Sequence, residues 1–327
     1  MTRREALALL LLSACGGGAK APPASAPGPS LKLSPAVALV PAAGLSWLVE
    51  ARPRELLAHP ALLLAVARIA PDERWDAFTR RHGGVDLRAA TELVVAGFPE
   101  TVLSIALAFV DPARVEAAFR ARALAVDARA VEGGVVRAWG TVGMAREQVA
   151  IFGHEGVALE QGRFGPLRAA EYFAEGKLHR ARPALGADPL ARAASLLGDA
   201  PLRAFAPGPF EGGWARGLGG LLRAATAVAG SVTPEDHAPH GALGLRVVLT
   251  GAWGDDALAA AERLRAGVDV LTSDPLCRLL GLDRPLDGPR IRAGSDALSL
   301  EITLDPRALG EGLHTATGAA IDEVMRL

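Results

Sequence analysis

The chain has 327 residues, half of them hydrophobic, and a formal net charge of −1. That is enough length and apolar content for one large or two modest domains with a full core. The near-neutral charge supplies no electrostatic footprint for nucleic acid or an anionic surface. One Tyr, two Gln and no Asn leave few planar amides and stacking rings, which disfavours sugar and nucleobase ligands.

At the start of the chain, Arg3 and Arg4 precede an apolar run from Ala6 to Leu12, which closes on Leu12-Ser13-Ala14-Cys15. A basic start, a short apolar run and small residues have the shape of an export signal. The run is far short of the roughly 20 residues that cross a bilayer as a helix. Its closing residues resemble the lipobox of bacterial lipoproteins. The resemblance implies a signal peptide over 1–14, cleavage between Ala14 and Cys15, and a diacylglycerol with its palmitate-type chains on the Cys15 thiol. Gly16, where an Asp would direct retention, implies sorting to the outer membrane, with the domain in the periplasm. Thr2-Arg3-Arg4-Glu5-Ala6-Leu7 also resembles a twin-arginine motif. However, only Lys20, Lys32 and Lys177 are lysines, and in so Arg-rich a chain two adjacent Arg carry little weight.

Residues 15–33 form the lipidated Cys and a tether: Gly16-Gly17-Gly18, then Ala, Pro and Ser with Pro22, Pro23, Pro27 and Pro29. Such a segment holds a domain roughly 20–45 Å off a membrane. Each acyl methylene buried in the bilayer contributes about 0.8 kcal/mol, so several chains anchor durably without a spanning helix.

Along the rest of the chain, strands are expected near 45–51, 92–98, 102–110, 135–142, 148–152 and 157–161, then near 202–206, 243–252, 290–293 and 298–304. One unit recurs: an apolar strand, an Asp, then a helix. It occurs at 103–110 with Asp111-Pro112 and at 298–304 with Asp305-Pro306, and more loosely at 245–252 with Asp255-Asp256. The Asp is placed to cap the helix and the Pro suits its first position. Short Pro-opened helices are expected at His59-Pro60, Asp188-Pro189 and Asp274-Pro275. A helix is also expected near 221–230. The strand pairs around Pro99-Glu100 and Gly294-Ser295 are too close for crossover helices and so are antiparallel. The expected class is α+β: antiparallel sheets with helices packed on one face, in two related halves. These are 34–164 and 200–327, joined by a mostly helical connection over 165–199. The layout is similar to uncharacterised envelope lipoproteins of GC-rich bacteria, a resemblance that implies no activity.

Candidate sites are sparse. Asp236, His237 and His240 could ligate zinc with an open position, but Pro234 and Pro239 place them in a loop that does not fix the rings. Gly44-Leu45-Ser46-Trp47-Leu48 and Gly294-Ser295-Asp296 lack the closing Gly of a nucleophile elbow. Gly217-Leu218-Gly219-Gly220 is followed by Leu222 and no Lys, unlike a phosphate loop. With Cys15 acylated, Cys277 has no disulfide partner and reads as a small core residue. Trp47, Trp75, Trp139, Trp214 and Trp253 read as core, or as the lining of an apolar site. The expectation is therefore a non-catalytic binding or assembly lipoprotein with no cofactor, whose membrane contact is the lipid on Cys15 and whose envelope protein partner is unnamed. The alternatives are an anchored metal-dependent hydrolase using the His237/His240 loop, and a carrier of lipid or other apolar ligand.

Overall fold

The computed structural model describes residues 31–131, 134–163, 165–177, 181–212, 220–235, 241–273 and 282–309. Cys15, Trp214, Asp236, His237, His240 and Cys277 lie outside them. In chain order the strands are β1 (Trp47–Ala51), β2 (Glu92–Phe98), β3 (Thr101–Leu107), β4 (Leu124–Val131), β5 (Val135–Val142), β6 (Ala145–Phe152) and β7 (Gly156–Gly162). Then follow β8 (Leu202–Pro207), β9 (Ala225–Glu235), β10 (Ala242–Gly251), β11 (Asp287–Ala293) and β12 (Ala297–Leu304). Seven α-helices are present among the described residues: α1 (Pro53–Ala58), α2 (Pro60–Ile69), α3 (Asp72–Arg81), α4 (Pro112–Arg122), α5 (Pro166–Ala174), α6 (Leu190–Leu197) and α7 (Ala257–Ser273).

The class is α+β, built on one antiparallel sheet of twelve strands in the order β11-β12-β10-β9-β8-β1-β2-β3-β7-β6-β5-β4. The short connections at Pro99-Glu100 and Gly294-Ser295 close antiparallel hairpins, as their length requires. Asp111 caps α4 as its position suggests. Its carboxylate accepts from the Ala113 and Arg114 N–H groups at 3.0 and 3.3 Å, with Pro112 opening the helix. Asp305 accepts from the Arg307 N–H at 2.9 Å in the same manner.

Three expectations are corrected. The segment expected as a helix near 221–230 enters strand β9, in which Ala225, Ala227, Ala229 and Ser231 are buried and alternate with less buried neighbours. Its small residues carry helix propensity but pack closely beneath α6, and tertiary packing overrides the propensity. Strand β4 was not expected and forms one edge of the sheet. Helices also cover both faces rather than one. On β6, Ala150 and Phe152 pack into a core with α5 and α6, while Val149 and Ile151 pack on the opposite side with Val115 and Phe119 of α4. Adjacent strand residues point to opposite faces, so two separate helical layers are needed to bury all four.

On the first face, α5, α6 and the turn Ala36–Leu39 lie across the central strands, over Leu48, Val94, Ala96, Leu103, Ile105 and Phe205. The second face is covered only at its flanks. Trp75 and Phe78 of α3 join α4 over β3, β5, β6 and β7 on one side. Leu62 of α2 and Ala260, Leu264 and Val268 of α7 lie over β10 and β12 on the other.

Candidate functional site

Between those two flanks, no helix among the described residues lies over the second face of β1, β2 and β8. Antiparallel register brings the three strands together: Val49 lies opposite Val95 of β2 and Ala204 of β8, and Ala51 lies opposite Leu93 and Leu202. Leu48, one position along β1, points the other way and is fully buried under the first-face helices. The alternate residues Trp47, Val49 and Ala51, with Leu93 and Val95, therefore form an apolar floor.

The segment after β8 makes a wall: Pro207, Gly208, Pro209 and Phe210, ending at Glu211. Phe210 also packs against the α7 flank, so the wall is tied to a rigid layer. The groove, open to solvent along one side, has a volume of about 880 Å³, within the usual range for small-molecule sites, roughly 300–1,000 Å³. Its polar side chains are Ser46 and Glu211, both exposed and both at the end where β1 begins and β8 finishes.

Trp47 is seated by a specific gap. It lies opposite Gly97 of β2, and a Cβ on Gly97 would run into the indole ring, so only glycine leaves the ring room to lie on the sheet. A second, smaller cavity of about 60 Å³ sits beneath α3 and α4, lined by Phe78, Val85, Leu87, Ser104, Ala106, Phe119 and their neighbours. Leu93 lines both spaces.

The polar groups buried in the sheet lie away from the groove. β6 and β7 carry cross-strand Glu/Gln pairs, Gln148 with Glu160 on the first face and Glu147 with Gln161 on the second. Glu160 accepts from the Gly165 and Leu167 N–H groups at 3.1 Å each and from the Gln148 amide, and so holds the start of α5. Burial pushes its carboxyl above the ordinary carboxylate range, against the lowering effect of those donors. Arg137 donates to Glu171 of α5 at 2.7 Å, and burial, reinforced by Arg168, lowers its pKa. On the first face, Glu160 and Arg137 thus tie α5 to the sheet. They do not face a cleft.

A polar hollow of about 480 Å³ on the outer first face is lined by Ser231, Thr233, Arg246, Asp287, Arg290 and Glu301, among others. Its charges offset one another, with Arg246–Glu301 at 3.7 Å and Arg290–Asp287 at 3.8 Å.

Of the tryptophans singled out in the sequence, Trp47 lines the groove, Trp253 is buried in the α7 flank and Trp75 packs into the α4 flank. Trp139 lies on the first face, opposite Gln148. The structure does not bring Trp47, Trp139 and Trp253 together around one apolar site. Val49, Leu93, Val95 and the Pro207–Phe210 wall were not singled out. The one sequence sign of them is a strand apolar on both sides, joined to a Pro-Gly-Pro segment far along the chain. Among the described residues no group of three or more His, Cys, Asp or Glu side chains is placed to hold a metal ion. No helix among them is long and apolar enough to cross a membrane.

No family model matches this chain, and no curated protein or solved structure matches it either.

Proposed function

We propose that this protein is a non-catalytic envelope lipoprotein, held to the outer membrane by lipid on Cys15 with its domain in the periplasm, and that the domain binds an apolar ligand in the central groove. The observation that carries the binding role is the uncovered apolar floor of β1 and β2. Helices cover the flanks of that face, yet among the described residues none lies over the strip bearing Trp47 and Val49, which Leu93 and Val95 continue into β2. An apolar concavity of this size with polar groups confined to one end suits a ligand with a long apolar part.

The anchor rests on the lipobox of Leu12-Ser13-Ala14-Cys15. A Cys15→Ser chain should leave the membrane fraction and lose palmitate labelling. Persistence of either would remove the anchor from this reading. For the groove, the full chain should brighten the uncharged dye N-phenylnaphthylamine, and Val49→Glu should abolish the effect while leaving the circular dichroism unchanged. Equal binding by both chains would overturn it.

The two related halves belong to the same proposal. β1-β2-β3, α4 and the returning β7 follow the same order as β8-β9-β10, α7 and the returning β12, with β7 beside β3 and β12 beside β10. The halves meet antiparallel at β1 and β8, and the groove lies over that seam. Overlaying the strands of one unit on the other should carry α4 onto α7, and a misplaced helix would remove the duplication.

A further inference from the structure

We infer that the groove and the small cavity beneath α3 and α4 form one site for a single unbranched acyl chain, with Leu93 as the partition between them. This rests on the reading that the groove binds an apolar ligand. The polarity of the groove sets the direction of the chain. Ser46 and Glu211 stand at one end, and the floor is wholly apolar from Trp47 to Ala51, which lies opposite Leu93. The span from Ser46 to Ala51 covers roughly 17 Å at about 3.3 Å per residue.

At the far end the floor does not stop at close-packed core. Leu93 turns one side to the groove and the other to the inner cavity, whose floor continues across β3 through Ser104 and Ala106. Leu93 is half-buried, unlike its neighbours Val94 and Ala96 on the covered face, so a rotamer change there displaces little. The inner cavity is narrow, about 60 Å³, which suits the end of one chain and excludes a ring system or a branched tail. The carboxylate of Glu211 at the polar end favours an acyl ester with an uncharged head over a free fatty acid.

The experiment is displacement of N-phenylnaphthylamine from the full chain by monoacylglycerols carrying octanoyl, dodecanoyl or hexadecanoyl chains. In the native protein, affinity should rise about fourfold for each methylene newly buried, until the inner cavity is filled. Leu93→Phe thickens the partition, and Ala106→Val fills the inner cavity from the other side. Ala106→Val, which lies outside the groove, should leave octanoyl binding within about twofold, and each variant should reduce the hexadecanoyl-to-octanoyl ratio by about tenfold or more. The two variants act from different strands, so a folding defect in one leaves the other to decide. If the native protein binds neither dye nor acyl ester, the groove reading itself is lost. If it binds them and neither variant alters the chain-length ratio, the groove stands and the continuous site is overturned.

Discussion

Strands β6 and β1 are both rich in apolar residues, yet they do different work. On β6, Val149, Ala150, Ile151 and Phe152 are all at most 3% exposed, because α4 covers one face and the core beneath α5 the other. On β1 only Leu48 is buried, and Trp47, Val49 and Ala51 on its other face remain half-exposed. The same residue types thus serve the folding core in one strand and an open floor in the other. What separates them is the layer above, and apolar area left without a layer is available to a ligand.

The largest effect should come from cutting into β6. Ile151→Ala leaves a cavity in a fully covered strand and should cost about 2–5 kcal/mol, read from the urea midpoint. Val49→Ala should cost less than about 1 kcal/mol, since the floor is already in contact with water, while weakening dye binding. Equal losses of stability in the two variants would erase the distinction between core and floor.

Next is Glu160, a buried polar residue in the covered region. Glu160→Ala strips the acceptor from the Gly165 and Leu167 N–H groups and from Gln148, and should cost about 1–3 kcal/mol. Its pH behaviour has a definite sign. Burial raises the folded carboxyl above its ordinary value, so as pH climbs past that value the unfolded chain loses this proton first. The contribution of Glu160 to stability is therefore complete below the unfolded carboxylate pKa and declines up to the raised folded one. Measured against Glu160→Gln at successive pH values, the native chain should lose relative stability from acid toward neutral. A difference moving in the native chain's favour with rising pH would reverse the assignment.

How much of this contrast could be read from the sequence depended on the strand. β12 was plain, because Leu298, Leu300, Ile302 and Leu304 alternate with Ser299, Glu301 and Thr303. β6 held the clue to two helical layers: its unbroken run from Val149 to Phe152 is what burial on both faces produces, and a single-layer expectation overlooks it. β9 hid behind Ala and Gly, whose small side chains give little hydrophobic alternation. The groove left only a faint trace, a strand apolar on both sides and a distant Pro-Gly-Pro segment. Its residues come from three distant stretches, 45–51, 93–95 and 206–211, and only the pairing of β1 with β2 and β8 makes them neighbours. Trp47 reads as core or as lining from sequence, because an apolar setting does not say which side of a strand is covered.

Gly97 sharpens the contrast at a single atom. Adding a methyl with Gly97→Ala forces the Trp47 indole off the sheet, because the new Cβ and the ring claim the same space. Overpacking of this kind typically costs about 1–3 kcal/mol in a closed core. Here the ring has open groove to swing into, so the stability loss should fall at the low end, near 1 kcal/mol. Intrinsic tryptophan emission should shift and dye binding should fall together. A shift without any change in binding would separate Trp47 from the ligand site.

The smallest effect is expected where α6 touches the β11–β12 turn through an exposed ion pair. Arg192 of α6 reaches Asp296 in the turn between β11 and β12 at 2.6 Å, but both side chains are about half exposed, at 50% and 56%. Water screens such a pair and two long side chains lose freedom to hold it, so Arg192→Ala should change stability by less than about 0.5 kcal/mol. The ion pair across the seam, Arg203 with Glu50, has the same chemistry but side chains only 16% and 17% exposed. Removing Arg203 leaves a carboxylate in a poorly hydrated place beneath the groove floor, so Arg203→Ala should cost more than Arg192→Ala. If the outer pair proved the costlier, burial would not set the worth of the Arg203–Glu50 pair, and the β1–β8 seam that supports the groove would owe little to it.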